Sequence, residues 1–155
     1  MSIDELISRN RSFVAHPGSP TPALRVAVVT CMDCRIDIYR ALGLEPGEAH
    51  VIRNAGGRAR DALRSLLVSQ RKLGTREVML ITHTGCGMAS FENAEFQEEL
   101  GTDIDFETFE SPEQAAADDA AWLREHPLIL EDTTVRAFVY DVKTGAVTEQ
   151  GGPSD

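Results

Sequence analysis

Hydrophobic and polar positions follow two rhythms along this chain. Residues 24–31, LRVAVVTC, form a continuous Val-rich apolar run, the pattern of a strand buried on both faces of a parallel sheet. A short helix, IDIYRALGL, follows and ends near Gly43, and residues 49–57, AHVIRNAGG, read as a second short strand closing in glycines. In RARDALRSLLVSQRKLG the residues Ala59, Ala62, Leu63, Leu66, Leu67 and Leu73 recur at i, i+3, i+4 spacing, which predicts an amphipathic helix stopped by Gly74. REVMLITHTGC supplies a third apolar strand. Strand, helix, strand, helix, strand in that order implies an α/β layer built on a parallel sheet.

From Gly87 onwards the pattern turns acidic and helical, in MASFENAEFQEELG and SPEQAAADDAAWLREHP, the second opened by Ser111 with Gln114 three residues on, a capping-box pattern. The AAWLREH stretch around Trp122 predicts a helix face packed on the core. TVRAFVYDVKTGAVTEQ alternates and turns at Lys143-Thr144-Gly145, a strand with a short hairpin return. The N-terminal stretch reads as a short amphipathic helix rather than a signal peptide, and HPGSPTPAL is the connector to the sheet. A single domain over 1–155 is the expectation, with 1–23 as its N-terminal helix and connector.

Composition narrows the function classes. With 42% hydrophobic and 26% charged residues, the chain is ordinary for a soluble protein, and no apolar run reaches the length of a membrane helix. A cytoplasmic location is expected. The net charge of -10 argues against nucleic acid as a partner, because phosphate binding depends on Lys and Arg. Acids concentrate from Glu92 to Glu125, while Arg53 to Arg76 is locally basic. Three cysteines do not make a disulfide framework, which leaves metal binding or thiol chemistry as their better use.

In a parallel sheet, reactive groups gather at the carboxyl ends of the strands. Cys31 ends the first strand, His83 ends the third, and Cys86 follows at i+3, with Asp33 and Arg35 beside them. Two thiolates and an imidazole suit zinc, and three protein ligands leave the open fourth position of a catalytic site. Thiolate donation would make a water there less acidic than on an all-histidine site, where its pKa is about 7. Asp33 either takes the fourth position or accepts a hydrogen bond from the nucleophile, and Arg35 decides by pairing with it. Two rival readings use Cys34: a redox Cys-x-x-Cys with Cys31, and a closed structural zinc site with all three cysteines and His83. Among the other histidines, His50 is assigned a structural place, and His16 and His126 exposed ones.

CMDCR followed by HTGC resembles the signature of the β-class carbonic anhydrases, Cys-x-Asp-x-Arg after the first strand and His-x-x-Cys after the third. The likeness runs from about Leu24 to Val147, through GEAHVIRNAGG and VRAFVYDVKTGAV, and is most like the small bacterial branch. It implies a mostly parallel four-stranded sheet with an antiparallel edge strand, flanked by helices, and an N-terminal helix reaching a partner subunit in a homodimer or dimer of dimers. It also implies a carbonate dehydratase, a zinc lyase with Cys31, His83 and Cys86 as zinc ligands and Asp33 with Arg35 as the catalytic dyad. Zinc-bound hydroxide would attack carbon dioxide to form bicarbonate and a proton. In closed members Asp33 would hold the fourth position until Arg35 draws it away. A hydrolase of carbon disulfide or carbonyl sulfide, and a non-catalytic zinc or thiol redox sensor, are the alternatives on the same fold.

Two features depart from the family pattern. Cys34 stands where small residues are usual, so oxidation of a Cys31–Cys34 pair is expected to release zinc. Arg58 and Arg60 lie just beyond the glycines, where they are expected either to pair with acids across a dimer, the favoured reading, or to hold an anion.

Overall fold

The computed structural model describes residues 1–151, so the last four residues of the expected 1–155 unit lie outside the described residues. Its strands are β1 (Val26–Cys31), β2 (Ala49–Asn54), β3 (Glu77–His83), β4 (Thr134–Tyr140) and β5 (Val147–Gln150). The helices are α1 (Ser2–Asn10), α2 (Ile38–Leu42), α3 (Ala59–Arg71), α4 (Asn93–Leu100) and α5 (Pro112–Glu125). One five-stranded sheet runs in the order β2-β1-β3-β4-β5, and its first four strands are parallel. Strand β5 returns antiparallel on β4, pairing Val147 with Tyr140. The expected parallel four-stranded sheet with an antiparallel edge strand is therefore the observed one.

Alternation along the strands assigns the two faces of the sheet. Ala27, Val29, Leu80 and Ala137 point to one side, where Ala62 and Leu66 of α3 and Ala116, Ala120 and Leu123 of α5 cover them. The alanines keep the side chains of α5 short and let it lie close to the sheet. Val28, Ile81 and Tyr140 point to the other side, against Ile36, Ile38 and Met88. Burying a side chain such as Leu66 or Leu80 contributes about 1.5–3 kcal/mol, which is what binds the helices to the sheet.

Local signals set the helix ends. The Ser111 hydroxyl accepts from the Gln114 N–H at 3.1 Å and opens α5, with Pro112 in its first turn. Asp37 caps α2 in the same manner, and Gly43 in the left-handed conformation ends it. The acidic stretch 88–101 is only partly helical, because a 3-10 turn over Gly87–Ala89 first buries Met88 and the Asn93 side chain then ties the chain to the Phe106 N–H. No residue of α1 is buried, and Ile3, Leu6 and Ile7 are exposed on it. Among the described residues no helix is long and apolar enough to cross a membrane.

Candidate metal centre

Strands β1 and β3 are hydrogen-bonded neighbours, with Thr30 opposite Ile81, so their carboxyl ends bring Cys31 and His83 to one edge of the sheet. After His83 the backbone turns at Gly85, whose φ of +62° suits a residue without a side chain, and returns Cys86 to the same point. The donor atoms of Cys31, His83 and Cys86 all lie within 4.8 Å of one another. The two sulfurs are 3.9 Å apart. All three residues are buried, His83 completely.

The hydrogen bonding of His83 determines which nitrogen is free. Nδ1–H donates to the Thr84 carbonyl at 2.8 Å, which leaves the Nε2 lone pair pointing at the thiols. Nε2 is buried and has no hydrogen-bond partner among the described residues. A buried nitrogen without a partner is costly. Two thiols and an imidazole lone pair converging in this way fit a soft or borderline divalent cation, so the group could hold a metal.

The thiols act as a pair. The hydrogen bond from Cys86 pulls the Cys31 thiol down to about 4, against its burial and with further help from His83 and from the backbone at Asp33 and Gly56. Cys86 is pushed up by that same contact with Cys31 and by its own burial. The two shifts run in opposite directions because the one contact between the sulfurs favours the thiolate on Cys31 and the thiol on Cys86. Burial opposes charge on His83, but the nearby Cys31 sulfur and the Thr84 carbonyl outweigh that and raise its pKa.

The turn after β2 closes the site from below. Gly56 N–H donates to Cys31 Sγ at 3.3 Å. Gly57, at φ +65°, lies so close to β1 that a Cβ there would come 2.8 Å from the Thr30 carbonyl carbon. Only glycine fits. Arg53 donates to the carbonyls of Cys31 and Asp33, at 2.9 and 2.7 Å, and holds the loop that carries the acid. This residue escaped the sequence reading, since an arginine in a strand gives no sign of which backbone it will reach.

Asp33 and Arg35 meet as a bidentate pair. Arg35 Nη2 donates to Asp33 Oδ2 at 2.7 Å, and Nε and the backbone N–H of Arg35 donate to Oδ1 at 3.0 and 2.9 Å. Those bonds hold the Asp33 carboxyl well below the usual carboxylate range. Nη2 also donates to the Gly85 carbonyl at 2.9 Å, which ties the pair to the turn carrying Cys86. In this arrangement Arg35 holds the acid, while Asp33 Oδ2 stands 3.7 Å from His83 Nε2.

Cys34 is exposed and lies outside the converging donors, which are Cys31, His83 and Cys86 alone. The closed structural zinc site that recruits it therefore lacks its fourth ligand. Arg58 corrects the expectation of a cross-subunit pair: it forms a buried salt bridge at 2.7 Å with Asp119 of its own chain. The acid that satisfies it came from α5, too far along the sequence to be read locally. Arg60 lies over the Trp122 ring, 4.5 Å from the centroid. His50 is structural as expected, bonded to Ser69 Oγ and the Pro20 carbonyl at 2.7 and 2.8 Å. His126 is half-buried rather than exposed, because it packs edge-on against Trp122.

The fold and site together define an α/β protein with a buried Cys, His, Cys donor set at the carboxyl edge of a parallel sheet, beside an Asp–Arg pair. The family model described as Carbonic anhydrase matches residues 26–106. The chain is 40% identical to Beta-carbonic anhydrase 1 of Mycobacterium tuberculosis, across 94% of this chain and 96% of that protein. It is 33% identical to the Carbon disulfide hydrolase of Saccharolobus solfataricus, across 92% of this chain and 85% of the relative. Among solved structures, a carbonic anhydrase from Streptococcus mutans superposes with a TM-score of 0.88 at 42% identity, covering 96% of this chain and 97% of the other. The chain belongs to the β-carbonic anhydrase family.

Proposed function

We propose that this protein catalyses the reversible hydration of carbon dioxide to bicarbonate and a proton, with zinc held by Cys31, His83 and Cys86. The observation that carries the reading is the buried His83 Nε2, left without a partner and facing two thiols. Family membership and the mycobacterial and streptococcal relatives support it. Zinc held there would supply the Lewis acidity that activates water.

The remaining roles belong to the chain. Thr84 fixes the His83 tautomer by accepting from Nδ1–H. Asp33, kept ionised by Arg35, presents an acceptor oxygen beside the donor set and orients the attacking water by taking its hydrogen bond. The Gly85 carbonyl anchors Arg35, so the acid stays on the guanidinium and the position facing His83 is left for water and substrate. Gly56 N–H supports the Cys31 thiolate.

Stopped-flow hydration of carbon dioxide by zinc-loaded protein, at neutral and alkaline pH, tests this reading, with carbon disulfide hydrolysis measured in parallel. Hydration that rises with pH is expected. Turnover of carbon disulfide without hydration would move the protein to the activity named for its Saccharolobus relative. The exposed Ile3, Leu6 and Ile7 of α1 support a homodimer or dimer of dimers in which α1 packs on a second copy. Light scattering of the full chain against one lacking residues 2–10 tests it. Free Cys31, Cys34 and Cys86 suit a reducing compartment, which supports a cytoplasmic location.

A further inference from the structure

Three unusual features meet at Glu107. Its backbone is left-handed, with φ +54°, although it carries a side chain. That conformation is held from both ends, since Arg58 Nη1 donates to the Glu107 carbonyl at 2.7 Å and the Glu107 N–H donates to Asp105 Oδ1 at 2.8 Å. The side chain is only 13% exposed, and its Oε1 is buried with no hydrogen-bond partner among the described residues. Arg60 Nε stands 3.9 Å from that oxygen, too far for a hydrogen bond.

Glu107 lines a cavity of about 420 Å³ together with Asp61 and Asp105, and with Met32, Ala55 and Met88. Met32 follows Cys31, Ala55 precedes the Gly56 that donates to Cys31, and Met88 lies two residues beyond Cys86. The cavity, whose remaining wall is apolar, thus lies between chain neighbours of the donor set and the carboxylates of Asp61, Asp105 and Glu107, which can hold water at that end. Burial pushes the Glu107 carboxyl up; Arg58 opposes this, and Asp119, Asp105 and Asp61 add to it.

Each hydration of carbon dioxide leaves one proton that must reach buffer. Asp33 is poorly suited to carry it, because both of its carboxylate oxygens already accept hydrogen bonds from Arg35. Resting on the carbonic anhydrase reading above, we propose that Glu107 is a proton-relay residue, whose carboxylate takes that proton through water in the cavity and passes it by the exposed Asp61 and Asp105 to buffer. An O–H bond of water breaks and an O–H bond on Glu107 forms; delivery to buffer restores the carboxylate, and no electrons change hands. Turnover then requires one deprotonation of Glu107 per bicarbonate formed.

Oxygen-18 exchange separates interconversion of carbon dioxide and bicarbonate from proton transfer, so it tests the relay directly. Glu107→Gln is expected to leave interconversion and kcat/KM unchanged and to lower kcat about tenfold in dilute buffer, with recovery in concentrated imidazole. Glu107→Gly guards against misfolding, since glycine accepts the left-handed backbone without strain, and the same loss and rescue are expected. A zinc-independent check is a carbon-13 titration of the glutamate carboxyls in metal-free protein, where the signal missing in Glu107→Gln should titrate above the surface glutamates. Unchanged kcat in dilute buffer, a loss that imidazole does not repair, or an ordinary Glu107 titration would each overturn the relay. Absence of interconversion in the zinc-loaded wild type would overturn the activity reading itself, before any variant is compared.

Discussion

Asp33 Oδ2 lies 2.7 Å from Arg35 Nη2 and 3.7 Å from His83 Nε2, so a single carboxylate oxygen faces both the guanidinium and the unpartnered imidazole nitrogen. The acid is therefore set at the donor group while its charge is committed to Arg35. In the proposed reaction that division would let Asp33 orient water without occupying the position that water needs.

Removing either half of the pair should cost activity more than metal. Asp33→Asn and Arg35→Ala are each expected to lower kcat/KM by about 100-fold or more, the scale of a lost positioned acid–base or orienting group. Bound zinc, counted by atomic emission, should stay near one per chain.

The same carboxylate should leave a mark on acid stability. Its folded pKa is depressed, so its contribution is present above the unfolded carboxylate value of about 4 and is lost as pH falls through the folded value. Urea unfolding of metal-free wild type and Asp33→Asn should differ most above about pH 5, and the gap should narrow below about pH 3. A gap that widened on acidification would exclude Arg35 as the cause.

Loss of a donor should empty the centre. His83→Ala and Cys86→Ser each remove one of the three converging atoms, and zinc retention after dialysis is expected to fall at least about 100-fold in affinity. Chelation of the wild type should likewise lower its melting temperature, because a cation that binds only the folded state stabilises it.

Thiol reactivity should be stepwise. Cys34 is exposed while Cys31 and Cys86 are buried against each other, so a thiol reagent should label one cysteine of the zinc-loaded protein quickly. The other two should react only after chelation. Oxidation of a Cys31–Cys34 pair would then need Cys31 released first, and zinc loss should lag behind Cys34 modification. Fast labelling of all three in loaded protein would contradict this burial.

Gly57→Ala probes the floor of the site. The added Cβ would stand 2.8 Å from the Thr30 carbonyl carbon in a left-handed backbone, so a loss of roughly 2–4 kcal/mol in unfolding free energy is expected, with weaker zinc binding.

Much of this protein was legible in the sequence because its signals are local. Val-rich runs, the i, i+3, i+4 stripe of α3 and the Ser111 cap each report short-range physics, and they place Cys31 and His83 at strand ends. The CMDCR and HTGC pairing then pointed to the centre through family likeness. Tertiary structure alone decided the rest. The partner of Arg58 is Asp119 on α5, the partner of Arg53 is the backbone around Asp33, and the left-handed backbone at Glu107 is held in part by a hydrogen bond from Arg58. Each of these pairs joins residues that only packing brings together. Periodicity encodes which face of an element is buried; it does not encode which distant charge arrives there to satisfy it.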